Sequence, residues 1–254
     1  MRLFVSFLTA PRPRGSSAAI MCKRKSMNDN LSPYSAAEYE EGIRKTLPFY
    51  EVFFSETINL VNYLKPGVTV WLDTGCGTGS LISRAHPVFP NTTFLLSDPS
   101  SEMLGKAKEA LKGILGGSLK IVGNVRTENL PAITPNRPQV ITAILVHHYS
   151  SKEERYAATK KCYELLVDDG LYITFENMSP VTEDGKRIAL GRWKAFQLSQ
   201  GKTEEEANSH VGRYGKSYFP ISIEEHMNIL KACGFRIVEL FWFSIMQAGL
   251  YGIK

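Results

Sequence analysis

The 254-residue chain is 43% hydrophobic and 22% charged, an ordinary globular balance, and long enough for one α/β domain with an inserted subdomain. Its net charge of +5 sits in the first 28 residues, where Arg2, Arg12, Arg14, Lys23, Arg24 and Lys25 meet no acid; residues 29–254 hold 24 basic against 25 acidic groups. A near-neutral body argues against direct nucleic-acid binding, no apolar run reaches the ~18 residues of a membrane span, and the scattered Cys22, Cys76, Cys162 and Cys233 suggest neither a metal site nor a disulfide framework.

Residues 1–30 read as a disordered basic tail, because Pro11-Arg12-Pro13-Arg14-Gly15-Ser16-Ser17 cannot make regular structure. The same acid-free stretch fits an organelle transit peptide, and Met27 fits an alternative start. Without such targeting, a reducing cytoplasm is the default compartment. Residues 31–66 form a helical lid, running from about Ala36 to Leu64 and interrupted near Pro48. Phe49, Phe53, Ile58, Val61 and Leu64 approximate helical spacing, and Pro66-Gly67 ends the run. Tyr34, Tyr39 and Tyr50 have apolar bodies and polar tips, which suit a lid over a ligand.

Residues 67–254 alternate strands and helices. Strands are expected at Val68–Leu72, Thr92–Ser97, Leu119–Val122, Val140–Val146 and Leu171–Phe175, with helices at Gly79–Arg84, Ser101–Gly113 and Lys152–Leu166. The pattern predicts an α/β fold with a doubly wound, mostly parallel seven-stranded sheet. A polar helical cap at about 178–219, anchored by Trp193 and Phe196, interrupts it after the fifth strand. Ile221–Cys233 is a helix with Gly234 as its stop. Phe235–Phe243 and Ile245–Ile253 are too close for a crossover helix, so the last strand runs antiparallel.

Gly75, Gly77 and Gly79 alternate just after the first strand. Glycine permits backbone angles other residues avoid and lets main chain approach a ligand, and this end of a parallel sheet is where α/β folds bind ligands. The spacing G-x-G-x-G is neither the dinucleotide G-x-G-x-x-G nor a triphosphate loop ending in Gly-Lys-Ser/Thr. A ligand with an amino-acid end and a nucleoside end fits better. Asp98, nineteen residues beyond Gly79, can accept hydrogen bonds from both ribose hydroxyls; its competing role is to cap the next helix.

Val70-Trp71-Leu72-Asp73-Thr74-Gly75-Cys76-Gly77-Thr78-Gly79 resembles the first motif of class I S-adenosylmethionine (SAM)-dependent methyltransferases, and Ser97-Asp98-Pro99-Ser100-Ser101-Glu102-Met103-Leu104 resembles the second. Leu166-Val167-Asp168-Asp169-Gly170-Leu171 is similar to the family's turn before the fifth strand. The resemblance covers about residues 36–254. It implies that the backbone of Gly75, Cys76 and Gly77 faces the methionine part of SAM, that Asp73 holds its amino group, and that Asp98 binds the ribose. Pro99 and Met103 would pack near the adenine, with Asn124 and Val125 standing where the family often has an acid beside the adenine amino group.

Methyl transfer needs an aligned nucleophile and, for weakly acidic acceptors, a base. His147 and His148, read at the end of the fourth strand, are the base candidates; strand alternation lets only one face the ligand and argues against joint metal ligation. Tyr149 is similarly placed. Glu176 and Asn177 end the fifth strand, where an acid could meet substrate. Tyr34, Tyr50, Trp193 and Arg213 are further substrate-side candidates, because elements inserted over a scaffold commonly select the substrate. Glu204-Glu205-Glu206 reads as a solvated helix start.

The C-terminal run Cys233-Gly234-Phe235 through Lys254, and Leu47-Pro48-Phe49-Tyr50, are similar to carboxy-SAM synthases of the transfer-RNA wobble-uridine pathway. That resemblance implies an arginine at about Arg213 for the added carboxylate, whereas Gly-Cys-Gly-Thr-Gly keeps the methyltransferase form. The leading expectation is therefore a methyltransferase that takes SAM and a small-molecule acceptor, as a monomer or homodimer. The alternatives are a carboxy-SAM synthase-like or transfer-RNA-modification enzyme, and a non-catalytic SAM-binding protein.

Overall fold

The computed structural model describes residues 30–114 and 117–254; the expected N-terminal tail lies outside the described residues except for Asn30. Two helices, α1 (Tyr39–Thr46) and α2 (Tyr50–Leu64), precede the first strand. Then come β1 (Val70–Thr74), α3 (Ser80–Ala85), β2 (Thr93–Ser97), α4 (Ser101–Ala110), β3 (Leu119–Gly123), β4 (Val140–Ile144), α5 (Lys152–Leu165) and β5 (Leu171–Asn177). The cap holds α6 (Glu183–Ser199) and α7 (Glu204–Val211), and the chain closes with α8 (Ile223–Cys233), β6 (Ile237–Ser244) and β7 (Gln247–Ile253).

The seven strands lie in the order β3-β2-β1-β4-β5-β7-β6. β1 to β5 pair in parallel, and β7 runs antiparallel to both β5 and β6. The short link at Ile245 and Met246 allows no other pairing. Every residue of β1 and β5 is buried, as a strand covered by helices on both faces must be. Alternation then sorts their side chains. Trp71, Ile173 and Phe175 pack with α2, α3 and the cap, while Val70, Leu72 and Tyr172 pack with α5 and α8. Phe53 of α2 stacks on Phe175 with ring centroids 4.7 Å apart.

Local signals set the helix starts. Ser151 with Glu154, Thr203 with Glu206, and Ser222 with Glu225 form reciprocal capping boxes for α5, α7 and α8, each contributing about 1 kcal/mol. Glu206 is thus a capping residue, and the acidic run Glu204–Glu206 begins α7.

The order of strands reverses between β1 and β4, and the crevice at their carboxyl ends is the ligand position of such sheets. The N-terminal helices roof it. The Glu40 carboxylate accepts from the Thr78 hydroxyl at 2.5 Å and from the Ser80 hydroxyl, tying α1 to the glycine loop. On its other side α1 is tied to the cap. Trp193 Nε1 donates to the Thr46 carbonyl at 2.6 Å, and Lys202 Nζ donates to the Tyr34 and Thr46 hydroxyls at 2.7 Å each. Arg213 donates to the Leu31 carbonyl at 2.9 Å.

Several expected boundaries shift by two or three residues, β1 from Val68–Leu72 to Val70–Thr74 among them, and the end of β4 bears most on the site. β4 ends at Ile144 rather than Val146, because Leu145 takes a left-handed φ of 62° and turns the chain out of the sheet. Trp193, expected on the substrate side, is fully buried against His210 and Tyr218 and joins the core. Trp193→Ala should therefore lower unfolding free energy by about 3–5 kcal/mol, measured by urea denaturation, whereas a merely substrate-facing residue would leave it nearly unchanged.

Candidate active site

The site begins with the loop that leaves β1. Gly75, Gly77 and Gly79 have φ of 63°, 54° and 82°, left-handed values that strain a side chain. A Cβ at Gly75 would meet Val146 Cγ2 at 2.5 Å, so this position must be bare for packing. A Cβ at Gly77 would meet nothing within 4 Å; there the bare backbone faces open space. Cys76 N–H is held by the Ser97 carbonyl at 3.0 Å, joining the loop to the end of β2, and burial pushes the Cys76 thiol well up, leaving it protonated.

Asp98 follows β2 directly. Its Oδ2 accepts from Gly77 N–H at 2.9 Å and its Oδ1 from Ser100 N–H at 2.8 Å. The helix cap itself is Ser100, whose hydroxyl accepts from Met103 N–H. Asp98 thus supports the turn into α4 and also grips the glycine loop. Asn124 donates both amide hydrogens, to the carbonyls of Asp98 and Pro99 at 2.8 Å each. Its Oδ1 is left as an acceptor.

Asp73 is buried in β1. One oxygen accepts from the Thr142 hydroxyl at 2.6 Å, which in turn accepts from Trp71 Nε1 at 3.0 Å. Burial pushes its carboxyl up to about 7. Its second oxygen has no hydrogen-bond partner among the described residues.

These residues line two adjoining cavities. The outer one takes in Gly75, Gly77, Asp98, Pro99 and Met103, and the inner one Asp73, Cys76, Thr78 and Tyr50. Asn124 and Val125 line neither; the following Arg126, Thr127 and Glu128 do. Val125 packs into the core on the α5 side of the sheet. A third, smaller cavity lies beyond, bounded by His148, Tyr149, Asn177, Arg213 and Tyr218. Tyr39 and Leu145 line all three. Leu145 carried no sequence signal, since nothing local marks a leucine for φ of 62°; such strain gathers at functional sites.

The histidine pair departs from the expectation of opposite strand faces. His147 to Tyr149 form a 3₁₀ turn beyond β4, so alternation does not apply. Glu176 organises this turn. It accepts from the backbone N–H groups of His147 at 2.9 Å and His148 at 3.0 Å, and from His148 Nδ1 at 2.6 Å. Burial would raise the Glu176 carboxyl, but the His148 hydrogen bond, with the neighbouring histidine rings, holds it down at about 2. Glu176 is fully buried and lines none of the three cavities, so the expected substrate contact is replaced by a supporting one. Arg155, also buried, donates to the carbonyls of His147 at 3.0 Å and Phe219 at 2.6 Å. Phe219 N–H donates to the His148 carbonyl at 2.6 Å, which ties the cap to the turn.

His147 and His148 divide their roles. His147 is bracketed by the Thr127 hydroxyl at 3.3 Å and the Tyr172 hydroxyl at 3.2 Å, and burial lowers its pKa to about 4. It is a neutral wall residue with both nitrogens engaged. His148 gives Nδ1–H to Glu176, which fixes its tautomer and leaves Nε2 as the basic nitrogen. Tyr34 is engaged with Thr46 and Lys202 and lines no cavity, whereas Arg213 reaches the third one. Among the described residues no group of His, Cys, Asp and Glu could hold a metal ion, and no helix is long and apolar enough to cross a membrane.

Comparison with known proteins agrees with this fold. Residues 72–172 match the family model for a methyltransferase domain. The carboxy-S-adenosyl-L-methionine synthase of a Nitratiruptor species is 24% identical over 80% of this chain and 84% of its own length. Magnesium protoporphyrin IX methyltransferase (ChlM) from Synechocystis PCC 6803, solved with S-adenosylhomocysteine, superposes with a TM-score of 0.57 at 16% identity, covering 87% of this chain and 95% of that one. PigF, also solved with S-adenosylhomocysteine, gives a TM-score of 0.60 at 17% identity over 86% of this chain; the match spans 58% of PigF, a little over half its length. Residues 72–172 thus match a methyltransferase domain, and the chain has the fold of class I SAM-dependent methyltransferases.

Proposed function

We propose that this protein binds SAM at the two adjoining cavities and transfers its methyl group to a small acceptor that approaches from the side of the third. The observation that carries the reading is the Asp73–glycine loop–Asp98 constellation. Asp73 keeps an oxygen unpartnered among the described residues at the inner cavity, which suits the ammonium of an amino-acid end. Gly77 presents bare backbone where a Cβ would occupy ligand space. Asp98 has lone pairs beyond its two backbone bonds for ribose hydroxyls, and Pro99 and Met103 give an apolar wall for a base. Asn124 holds the Asp98–Pro99 backbone in place from outside the cavities.

When bound, SAM supplies an electrophilic methyl on a sulfonium. The protein's own task is to orient the acceptor and take its proton. His148 Nε2 is the base: the hydrogen bond from Nδ1 to Glu176 holds the ring in place and leaves Nε2 free to accept a proton. Tyr39, Leu145 and Tyr149 line the boundary between cofactor and acceptor spaces. Tyr218, whose buried hydroxyl has no partner among the described residues, and Arg213 supply polar contacts at the acceptor's far end.

A second reading, carboxy-SAM synthesis, rests on Arg213, a guanidinium at the third cavity able to take a carboxylate in bidentate fashion. Mass spectrometry of nucleoside carried through purification separates the two, since carboxy-SAM is heavier than SAM.

Asp73 gives a pH signature. Its folded pKa of about 7 lies above the ordinary 3.8, so the stability gained from the neutral carboxyl is complete below about 3.8 and lost as pH rises through about 7. Pairing with an ammonium needs the ionised form. SAM affinity should therefore weaken as pH falls below about 7, and Asp73→Asn should flatten that dependence, as read by calorimetric titration. For catalysis, label transfer from methyl-labelled SAM to a panel of small hydroxylated and amino acceptors should occur. His148→Ala should reduce that rate by about 10²–10⁴-fold while leaving SAM affinity within about threefold; an unchanged rate would reject His148 as the base.

A further inference from the structure

A large groove lies apart from the three cavities and shares no lining residue with them. Its walls are α6 and α8, and its floor is the segment after β5 together with the β6–β7 turn. The Ser179 hydroxyl bonded to Tyr214 OH at 2.6 Å, and the bridge between Met178 and Ile221, fix the backbone at its inner edge. The volume is ≈ 700 Å³, within the range of small-molecule sites and small for a protein helix.

The chemistry of the lining is uneven. Met178, Met227 and Met246 give it a soft, adaptable floor and wall. Val181, Ile188 and Phe243, at its rim, are 92%, 57% and 53% exposed; apolar groups clustered so openly mark a binding surface rather than ordinary surface scatter. Arg192 on α6 and Lys231 on α8 stand on opposite walls, both exposed. Neither forms an ion pair or side-chain hydrogen bond among the described residues, although most basic residues of the cap do, including Lys186, Arg187, Lys194 and Lys202. The single acid lining the groove, Glu224, lies seven residues from Lys231, or about 10 Å along α8. The groove is therefore apolar inside and net cationic at its rim.

We propose that this groove binds an amphipathic anion of small-molecule size, an apolar chain or ring system bearing one carboxylate or similar head group, with Arg192 and Lys231 pairing the head and the methionine-lined trough taking the body. This site is independent of the methyl-transfer reading. Its occupant would rest on α6, whose Trp193 fastens the cap to the lid.

Calorimetric titration of the full chain with sodium decanoate, below its micelle concentration, tests the proposal. One saturable site is expected. Decanol and decyltrimethylammonium should bind at least about tenfold more weakly. The double variant Arg192→Gln with Lys231→Gln should weaken decanoate by about tenfold, and Asn228→Trp, which fills the groove from α8, should remove binding. Each variant's unfolding midpoint is checked against the parent chain. Absence of saturable binding overturns the proposal, as does equal affinity for decanol or indifference to Asn228→Trp. Sedimentation showing a dimer that Phe243→Glu dissociates would assign the face to a second copy instead, and would equally overturn it.

Discussion

The loops that leave β1 and β2 are joined by one carboxylate. Asp98 reaches back 21 residues to the Gly77 N–H and forward to the Ser100 N–H, so the glycine loop and the start of α4 share a single anion. Hydrogen bonds to a charged group contribute about 1.5–3 kcal/mol each, enough to set the path of a loop whose three glycines would otherwise leave it loose. Everything built on the loop inherits that order. Cys76 docks on Ser97, Asn124 locks onto the carbonyls of Asp98 and Pro99, and α1 settles on Thr78 and Ser80 through Glu40.

A second buried acid, Glu176, does for the turn after β4 what Asp98 does for the glycine loop. Glu176 accepts two consecutive backbone N–H groups and a histidine ring nitrogen, which lets the chain leave β4 through the strained Leu145 and still present a defined turn. Arg155, also buried, binds the carbonyls that the turn and the cap expose. Removing one member of such a buried set leaves the others unsatisfied, at several kcal/mol. The arrangement thus trades tolerance for a fixed His148 tautomer.

Much of this was legible from residue order. The apolar runs at Val70 and Leu171, the Gly75-x-Gly77-x-Gly79 spacing and Asp98 after the second strand located the sheet and the loop. The short link at Ile245 dictated the antiparallel closure. What escaped was set by partners distant in sequence. Glu176 reads locally as a strand-end acid open to substrate because its partners lie 28 and 29 residues earlier. Trp193 looked like a substrate contact because its acceptor, Thr46, lies 147 residues away. The histidines were placed on a strand because nothing local announces a left-handed leucine. Side-chain periodicity reports which face is buried, not which buried polar groups meet.

In the proposed function Asp73, the glycine loop and Asp98 form one SAM site. Calorimetric titration of the purified chain and of its Asp98→Ala variant with SAM tests it most directly. A single saturable site is expected for the parent chain, weakened more than about tenfold in the variant because ribose hydroxyls lose their acceptor and the loop its anchor. No heat of binding at millimolar SAM, or equal affinity in the variant, would contradict the account.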